Sequence, residues 1–451
     1  MIQRAIRRLR EGRPAEAESV LRFWMELSPQ DTRALYLLAT AQLRQGHLDA
    51  AHASATELLA LAPEMPDANL LLGVILQRLN RMEEAVAPHQ RAMTLQPNSA
   101  SAAHHLAMAL HMVNRNEEAF LAIRAALRLR PEMAISRYLE SLVLLRLGVL
   151  PEAWTEYEAR LRYAPLCPDA ARHDAIPRWR GEGAIAGRTV LLHREQSSGD
   201  TIQFVRYAPM VAALGARVVL EVQPALKPLL AGMPGVDAVL AVGEPLPAAD
   251  LQCPLLSLPL AFRTTTDSVP ADLPYLRPDA ERLALWRQRL GPADGPRIGI
   301  AWSGRPEHFN DANRSLPLAR LAPLLSAGAG TFHVLQTMFR ADDLAELPRW
   351  PRLQRHDAEI ADFADLAALV SLMDVVIAAD TSVAHLAGAL GHPTWLLGAY
   401  TLDWRWLTDR DGRPLWYPHV RVFRQPAFGD WDAVIARVAV AVSELAWPHG
   451  P

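Results

Sequence analysis

The chain has 451 residues, half of them hydrophobic and about a fifth charged, which fits a folded chain of roughly three domains and not a disordered one. Its 46 Lys and Arg against 49 Asp and Glu leave a formal charge of −3, and no block of like charge stands out beyond an Arg-rich start. Nucleic acid and membrane surface are therefore poor partners. Only two cysteines occur, Cys167 and Cys253, too far apart for a zinc site or a disulfide framework. The stretch from Met1 to Glu18 lacks the continuous apolar core of a secretory leader, and no run reaches the about 20 apolar residues that cross a bilayer. The expectation is a soluble cytoplasmic protein with no membrane insertion.

The first third is periodic. Pro29, Pro63, Pro97, Pro131 and Pro165 fall 34 residues apart. Gly12, Gly46, Asn80, Asn114 and Gly148 share that spacing, as do Ala17, Ala51, Ala85, Ala119 and Ala153. Each series has its own reason in a repeated helix pair. Gly or Asn tolerates the left-handed backbone that ends a first helix. Ala is small where two helices approach closely, and Pro cannot continue a helix interior. The period and positions resemble the tetratricopeptide repeat, whose Leu-Gly/Ala pair is matched by Leu38-Ala39, Leu72-Gly73 and Leu106-Ala107, while the fourth repeat has Glu140-Ser141. Stacked helix pairs form a concave groove suited to a peptide or protein, or an array that self-associates. His104 and His105, adjacent on a first helix, point in different directions, which suits groove lining or packing and not metal binding.

After Pro165 the composition changes. Pro165, Pro168, Pro177, Gly181, Gly183 and Gly187 mark an irregular crossing. Strands are predicted at 189–193 (TVLLH), 217–222 (RVVLEV), 236–242 and 250–253, with a helix over 201–214. A Pro-rich stretch, 263–296, precedes a second set of strands at 297–302 (RIGIAW), 331–336 (TFHVLQ), 374–379 (DVVIAA) and 394–397 (TWLL). The reading is two Rossmann-like lobes with a cleft between them.

Ligands in such sheets bind at the carboxyl ends of the strands, which directs attention to three loops. In the first, Asp200 after Gly199 is placed either to accept a proton from an attacking hydroxyl or simply to cap the following helix; His193 and Glu195 are weaker candidates. In the second, Ser303-Gly304 forms a small-residue turn whose N–H groups suit a phosphate, and Arg314 beyond it suits a diphosphate or is a solvated charge. In the third, Asp380 ends a strand, and Thr381 and Ser382 open a helix whose N-terminus favours anions. His385 shares that helix face, as a phosphate-side group or as a buried, satisfied histidine. The pairs Asp409/Asp411 and Asp430/Asp432 are discounted as metal sites because neither follows a confident strand. Trp404, Trp406, Trp416 and Tyr417 form an aromatic cluster that either lines a cleft or packs the lobes together.

Residues from about 185 to 445 resemble the heptosyltransferase-like glycosyltransferases. The resemblance rests on GDTIQFVRY (199–207), ARVVLEVQPALKPLL (216–230), PGVDAVL (234–240), IGIAWSG (298–304), NDANRS (310–315), DTSVAHLAGALG (380–391) and DWRWL (403–407). It implies a GT-B pair of Rossmann-like lobes, placed over 188–275 and 276–451; with the tetratricopeptide α-solenoid over 1–165 and a linker over 166–187, the expected chain is α plus α/β. The resemblance further implies inverting transfer without a metal or other cofactor, with a nucleotide sugar as donor substrate. Asp200 falls on the proposed base. Ser303, Gly304, Arg314, Gln336, Asp380, Thr381, Ser382 and His385 fall on the donor side. One departure is Ser197-Ser198-Gly199-Asp200 in place of the family's Gly-x-Gly-Asp. With the repeats, the implied partner is an acceptor protein with a Ser or Thr hydroxyl, flagellin being one such setting. An adaptor with an inactive transferase fold and a transferase for glycan or lipid-linked acceptors are the alternatives.

Overall fold

The structure is a computed structural model that describes residues 1–163, 170–308, 310–328 and 330–445. Cys167, Pro165 and Pro168 lie outside the described residues. The chain divides into two compact units, 1–147 and 148–451.

The first unit is a stack of antiparallel helix pairs. Ile2–Arg10 precedes Pro14–Leu27, Thr32–Gln45 precedes Leu48–Leu61, Pro66–Arg78 precedes Met82–Leu95, and Ala100–Met112 precedes Asn116–Leu129; Ala134–Arg146 ends the unit. The three residue series explain these boundaries. Gly12, Gly46, Asn80 and Asn114 all have φ between 59° and 79°, the left-handed turn that lets the second helix fold back. Second helices stop at Leu27, Leu61, Leu95 and Leu129, each two residues short of its proline, because the residue before proline is disfavoured in the α region. Ala17, Ala51, Ala85 and Ala119 are wholly buried where the helices meet. Core clusters cross repeat boundaries, as where Leu35 and Leu58 pack with Ala68 of the next repeat. The polar departure Glu140-Ser141 is accommodated: Glu140 is buried against Arg124 at 3.2 Å, and Ser141 Oγ donates to the Tyr138 carbonyl. Gly73 has a different reason from its repeat counterparts. A Cβ there would lie 2.3 Å from the His89 ring, which stacks on His105.

The second unit begins with the helix Leu150–Tyr157. Its sequence continues the 34-residue spacing, with Gly148 at φ 75° and Ala153 fully buried, but its side chains pack into the α/β region. Trp154 Nε1 donates to the Thr264 carbonyl, and its ring meets Trp404 edge-on at 5.5 Å. Two all-parallel sheets follow. The first has strand order β3-β2-β1-β4, with β1 Thr189–His193, β2 Arg217–Val222, β3 Ala238–Ala241 and β4 Leu251–Pro254. The second has order β10-β9-β8-β5-β6-β7, with β5 Arg297–Ala301, β6 Thr331–Val334, β7 Leu353–Gln354, β8 Val375–Ala379, β9 Thr394–Gly398 and β10 Val420–Arg424. Central strands such as β8 are buried along their whole length, as parallel sheets covered on both faces require. The architecture is a stacked tetratricopeptide array followed by two parallel α/β sheets, consistent with a GT-B pair of lobes.

Differences from the sequence expectations are local. The helix predicted over 201–214 starts earlier and breaks into Ser198–Phe204, a 3-10 turn Val205–Tyr207, and Ala208–Ala213. Pro209 explains the break, because it has no N–H to continue the ladder and its ring clashes with the carbonyl four residues back. The strands β7 and β10 are not anticipated by the sequence pattern: β7 is two residues long, and β10 interleaves arginines with Val and Phe at a sheet edge.

Candidate functional site

The site forms where the carboxyl ends of β1, β5 and β8 open into loops, and the helices after β1 and β8 set its shape. Ser198–Phe204 and Ser382–Ala389 lie against each other because Gly199 carries no side chain. A Cβ on Gly199 would stand 2.9 Å from His385 Cδ2 and 3.5 Å from the Ser382 Cα. This contact brings Asp200 to the same place as the Asp380–His385 segment.

Asp200 is held on both sides. The Ser197 backbone N–H and hydroxyl donate to its Oδ2 at 2.9 and 2.7 Å, a reciprocal cap at the start of the helix. Its Oδ1 accepts from the Arg405 guanidinium at 2.5 Å. Burial pushes the carboxyl upward, but Arg405 and the two Ser197 bonds outweigh it and hold Asp200 below its ordinary range. Asp200 thus takes part in the helix cap as the partner of the N-cap residue Ser197, while its other oxygen faces Arg405. The Ser197 hydroxyl, standing where the family pattern has glycine, supplies a bond that glycine lacks.

Arg405 lies in the turn Trp404–Trp406 after β9, capped by Asp403. Besides Asp200 it donates to Asp403 Oδ1 at 3.0 Å and sits over the Trp404 ring at 4.4 Å, while its Nε is buried with no partner among the described residues. Sequence reasoning assigns Arg405 no role, although the DWRWL segment contains it. Arginine between two tryptophans reads equally as packing, and only the fold brings Asp200 to it.

Asp380 follows β8. Its Oδ1 accepts from Trp406 Nε1 at 2.9 Å and lies 3.9 Å from His385 Nε2. Burial and the nearby Asp403 raise its pKa to about 6, against the opposing pull of Arg314 and Trp406. His385 is fixed by the Tyr417 hydroxyl at 3.1 Å and by stacking on Trp406. Burial, and secondarily Arg405, lower its pKa to about 3, so it is neutral at ordinary pH. Thr381 precedes the helix, and its Oγ1 is buried without a partner among the described residues; Ser382 is the first helical residue.

Arg314 connects the second loop to the third. Its Nη1 donates to the Asp380 carbonyl at 2.9 Å, and its Nε is buried with no hydrogen-bond partner among the described residues, 4.0 Å from Asp311 Oδ1. Gly304 makes room for it, since a Cβ there would be 2.8 Å from Arg314 Nη2. Gln336 turns inward: Oε1 accepts from the Trp302 and Ser303 N–H groups, and Nε2 donates to Ser303 Oγ and the Met338 carbonyl. Ser303 and Gln336 therefore brace the end of β5, and both of Gln336's amide groups are spent on protein partners.

The weaker candidates serve elsewhere. Glu195 forms a two-bond pair with the fully buried Arg160, at 3.0 and 2.8 Å. His193 bonds Gln252 and stacks on His173 at 3.9 Å, beside a small cavity of about 30 Å³ at the strand ends of the first sheet. Trp404, Trp406, Trp416 and Tyr417 are all buried, so the aromatic cluster is packing, with Trp406 doubling as a donor to Asp380. Asp409 organises a turn and Asp430 caps the helix Trp431–Ser443.

The tetratricopeptide repeat family matches residues 8–54 and 36–103. Protein FlbA of Caulobacter vibrioides is 28% identical over 317 residues, covering 64% of this chain and 52% of that protein. The chain thus spans about half the length of this curated relative. Among solved structures, TTC0263, a thermophilic TPR protein of Thermus thermophilus, is 23% identical over 39% of this chain and 95% of its own, with a TM-score of 0.32. YrrB, a TPR protein with an unusual peptide-binding site, is 19% identical over 39% of this chain and 90% of its own, with a TM-score of 0.33. No helix among the described residues is long and apolar enough to cross a membrane. The chain is therefore one of N-terminal tetratricopeptide repeats followed by an α/β region of two parallel sheets.

Proposed function

We propose that the α/β region is an inverting, metal-independent glycosyltransferase that moves a sugar from a nucleotide-sugar donor to a Ser or Thr hydroxyl of a protein, and that the repeats recruit that protein. The observation that carries the reading is the polar cradle after β8. Arg314 Nε and Thr381 Oγ1 are buried there without hydrogen-bond partners among the described residues, at the N-terminus of Ser382–Ala389, with Asp311 Oδ1 4.0 Å from Arg314 Nε. Two unsatisfied donors and a helix N-terminus together suit a phosphate. The acidic Asp200 stands beside this cradle across the Gly199–His385 contact.

In this reading the acceptor oxygen attacks the anomeric carbon and its proton passes to Asp200. The bond from that carbon to the donor phosphate oxygen breaks, and the electron pair leaves with the phosphate. Arg314, Thr381 and the helix N-terminus neutralise the departing charge. The neutral His385 keeps a second cation out of the base's surroundings while shaping the wall between Asp200 and Asp380. Flagellin is one protein acceptor to try. The test is intact-mass measurement of an acceptor co-produced with the chain. A sugar-sized mass gain that disappears with Asp200→Asn and with Arg314→Ala supports the reading, and a gain unchanged in both contradicts it.

One observation favours a second reading, an adaptor that has kept the fold without the chemistry: both Asp200 carboxylate oxygens are already engaged by Ser197 and Arg405. Under that reading the chain binds protein partners and no nucleotide sugar.

A further inference from the structure

Asp200 cannot take a proton efficiently while Arg405 holds it, because a cation on the carboxylate stabilises the charged form and weakens it as a base. Arg405 is itself surplus to one partner. It is nearly buried and bonds both Asp200 and Asp403, yet its Nε is left without a partner among the described residues. Its charge also reaches Asp380 and His385, the residues flanking the phosphate cradle. Trp406, the next residue, donates directly to Asp380. The turn Trp404–Trp406 thus sits between the base and the phosphate side, with a strong cation at its centre.

We infer that Arg405 exchanges partners: it pairs with Asp200 while the donor site is empty, and with the phosphate oxygens of the donor once it binds. The exchange rests on the transferase reading and gives it an order of events. A diphosphate competes for the guanidinium because it too accepts two parallel N–H bonds and its two phosphates together carry about twice the charge of one carboxylate. Its arrival removes the cation from Asp200, so the base becomes available only when there is a sugar to transfer. Arg405 is then a positioning residue toward Asp200 and a direct ligand of the leaving phosphate. Asp403 keeps it in reach in both states, through a bond that does not involve the first lobe.

The exchange predicts a thermodynamic competition that simple structural support does not. Asp200→Asn removes one competitor for Arg405, so affinity for inorganic pyrophosphate and for nucleoside diphosphates rises, by about tenfold if the coupling is of ordinary size. Asp200→Ser removes the same competitor and serves if Asp200→Asn fails to fold. Arg405→Gln lowers affinity, and in that background Asp200→Asn brings no further gain. Isothermal titration of the full chain with pyrophosphate and with ADP, GDP, CDP and UDP reads all of these. If nucleotides bind wild type and Asp200→Asn equally, the exchange is overturned while the donor-site reading stands. If Asp200→Asn still tightens binding in the Arg405→Gln background, Asp200 merely repels anions and the exchange is overturned. If no probe binds any form, the exchange and the transferase reading both fall.

Discussion

Replacing Gly199 by alanine probes the contact that assembles the site. The added Cβ would lie 2.9 Å from His385 Cδ2, well inside the ordinary van der Waals range. The ring has little room to yield: its Nδ1 is tied to the Tyr417 hydroxyl at 3.1 Å, and Trp406 stacks on it with centroids 5.0 Å apart. Overpacking of this kind costs about 1 to 3 kcal/mol. Alanine's better helix propensity returns at most about 1 kcal/mol, and less at a first-turn position. The expected net loss is about 1 kcal/mol in chemical denaturation of the full chain. The functional effect is larger, because the strain is relieved by separating Asp200 from the Asp380–His385 segment, and a misplacement of about 1 Å can cost about 100-fold in rate. A Gly199→Ala chain as stable as wild type and equal in nucleotide affinity and transfer would refute the close-contact argument.

Three further outcomes follow from the same structure. Asp380, with its pKa raised to about 6, carries a negative charge beside the cradle above that pH and loses it below, so affinity for a nucleotide sugar should rise as pH falls through 6; Asp380→Asn should bind as tightly at about pH 7.5 as at about pH 5.5, and an unchanged pH profile in that variant would count against the assignment. In the repeats, His89 is buried without a partner for either ring nitrogen among the described residues, and burial, with His105 and His104 beside it, lowers its pKa to about 3. A depressed folded-state pKa contributes stability that is present above the unfolded value of about 6.5 and is lost as pH falls toward 3, here about 5 kcal/mol at the acid limit. His89→Phe should flatten the acid limb of the repeats' unfolding, and an identical limb contradicts the point. Gly73→Ala, with its Cβ 2.3 Å from the same ring, should cost about 2 kcal/mol, and His89→Ala in the same chain should recover most of that cost in a double-mutant cycle.

The repeats were legible because their signals are local: a turn residue, a close-contact alanine and a stopping proline recur at a fixed period, and each means the same thing in every copy. Strands of the sheet interiors were legible for a related reason, since β1, β2, β5 and β8 are short apolar runs buried on both faces. Edge strand β10 hid behind its arginines, and Pro209 divided a helix that its apolar pattern had made continuous. Candidate residues at the strand ends could be named because the sheet rule points to them. What those residues touch could not be read. Gln336 turned back to brace Ser303, and Arg405, between two tryptophans, found its main partner 205 residues away. The first pairing depends on neighbouring strands of one sheet and the second on two lobes meeting, and no local spacing encodes either.

The central claim is that the cradle formed by Arg314, Thr381 and the start of Ser382–Ala389 holds the phosphate of a nucleotide sugar. The most direct test is a thermal-shift panel of nucleoside mono- and diphosphates and nucleotide sugars on the full chain, because a ligand that binds only the native state raises the melting temperature. A clear rise is expected with one nucleotide class, and it is lost in Arg314→Ala and in Ser382→Ala. No rise with any member at millimolar ligand, on folded protein, would contradict the claim and favour the adaptor.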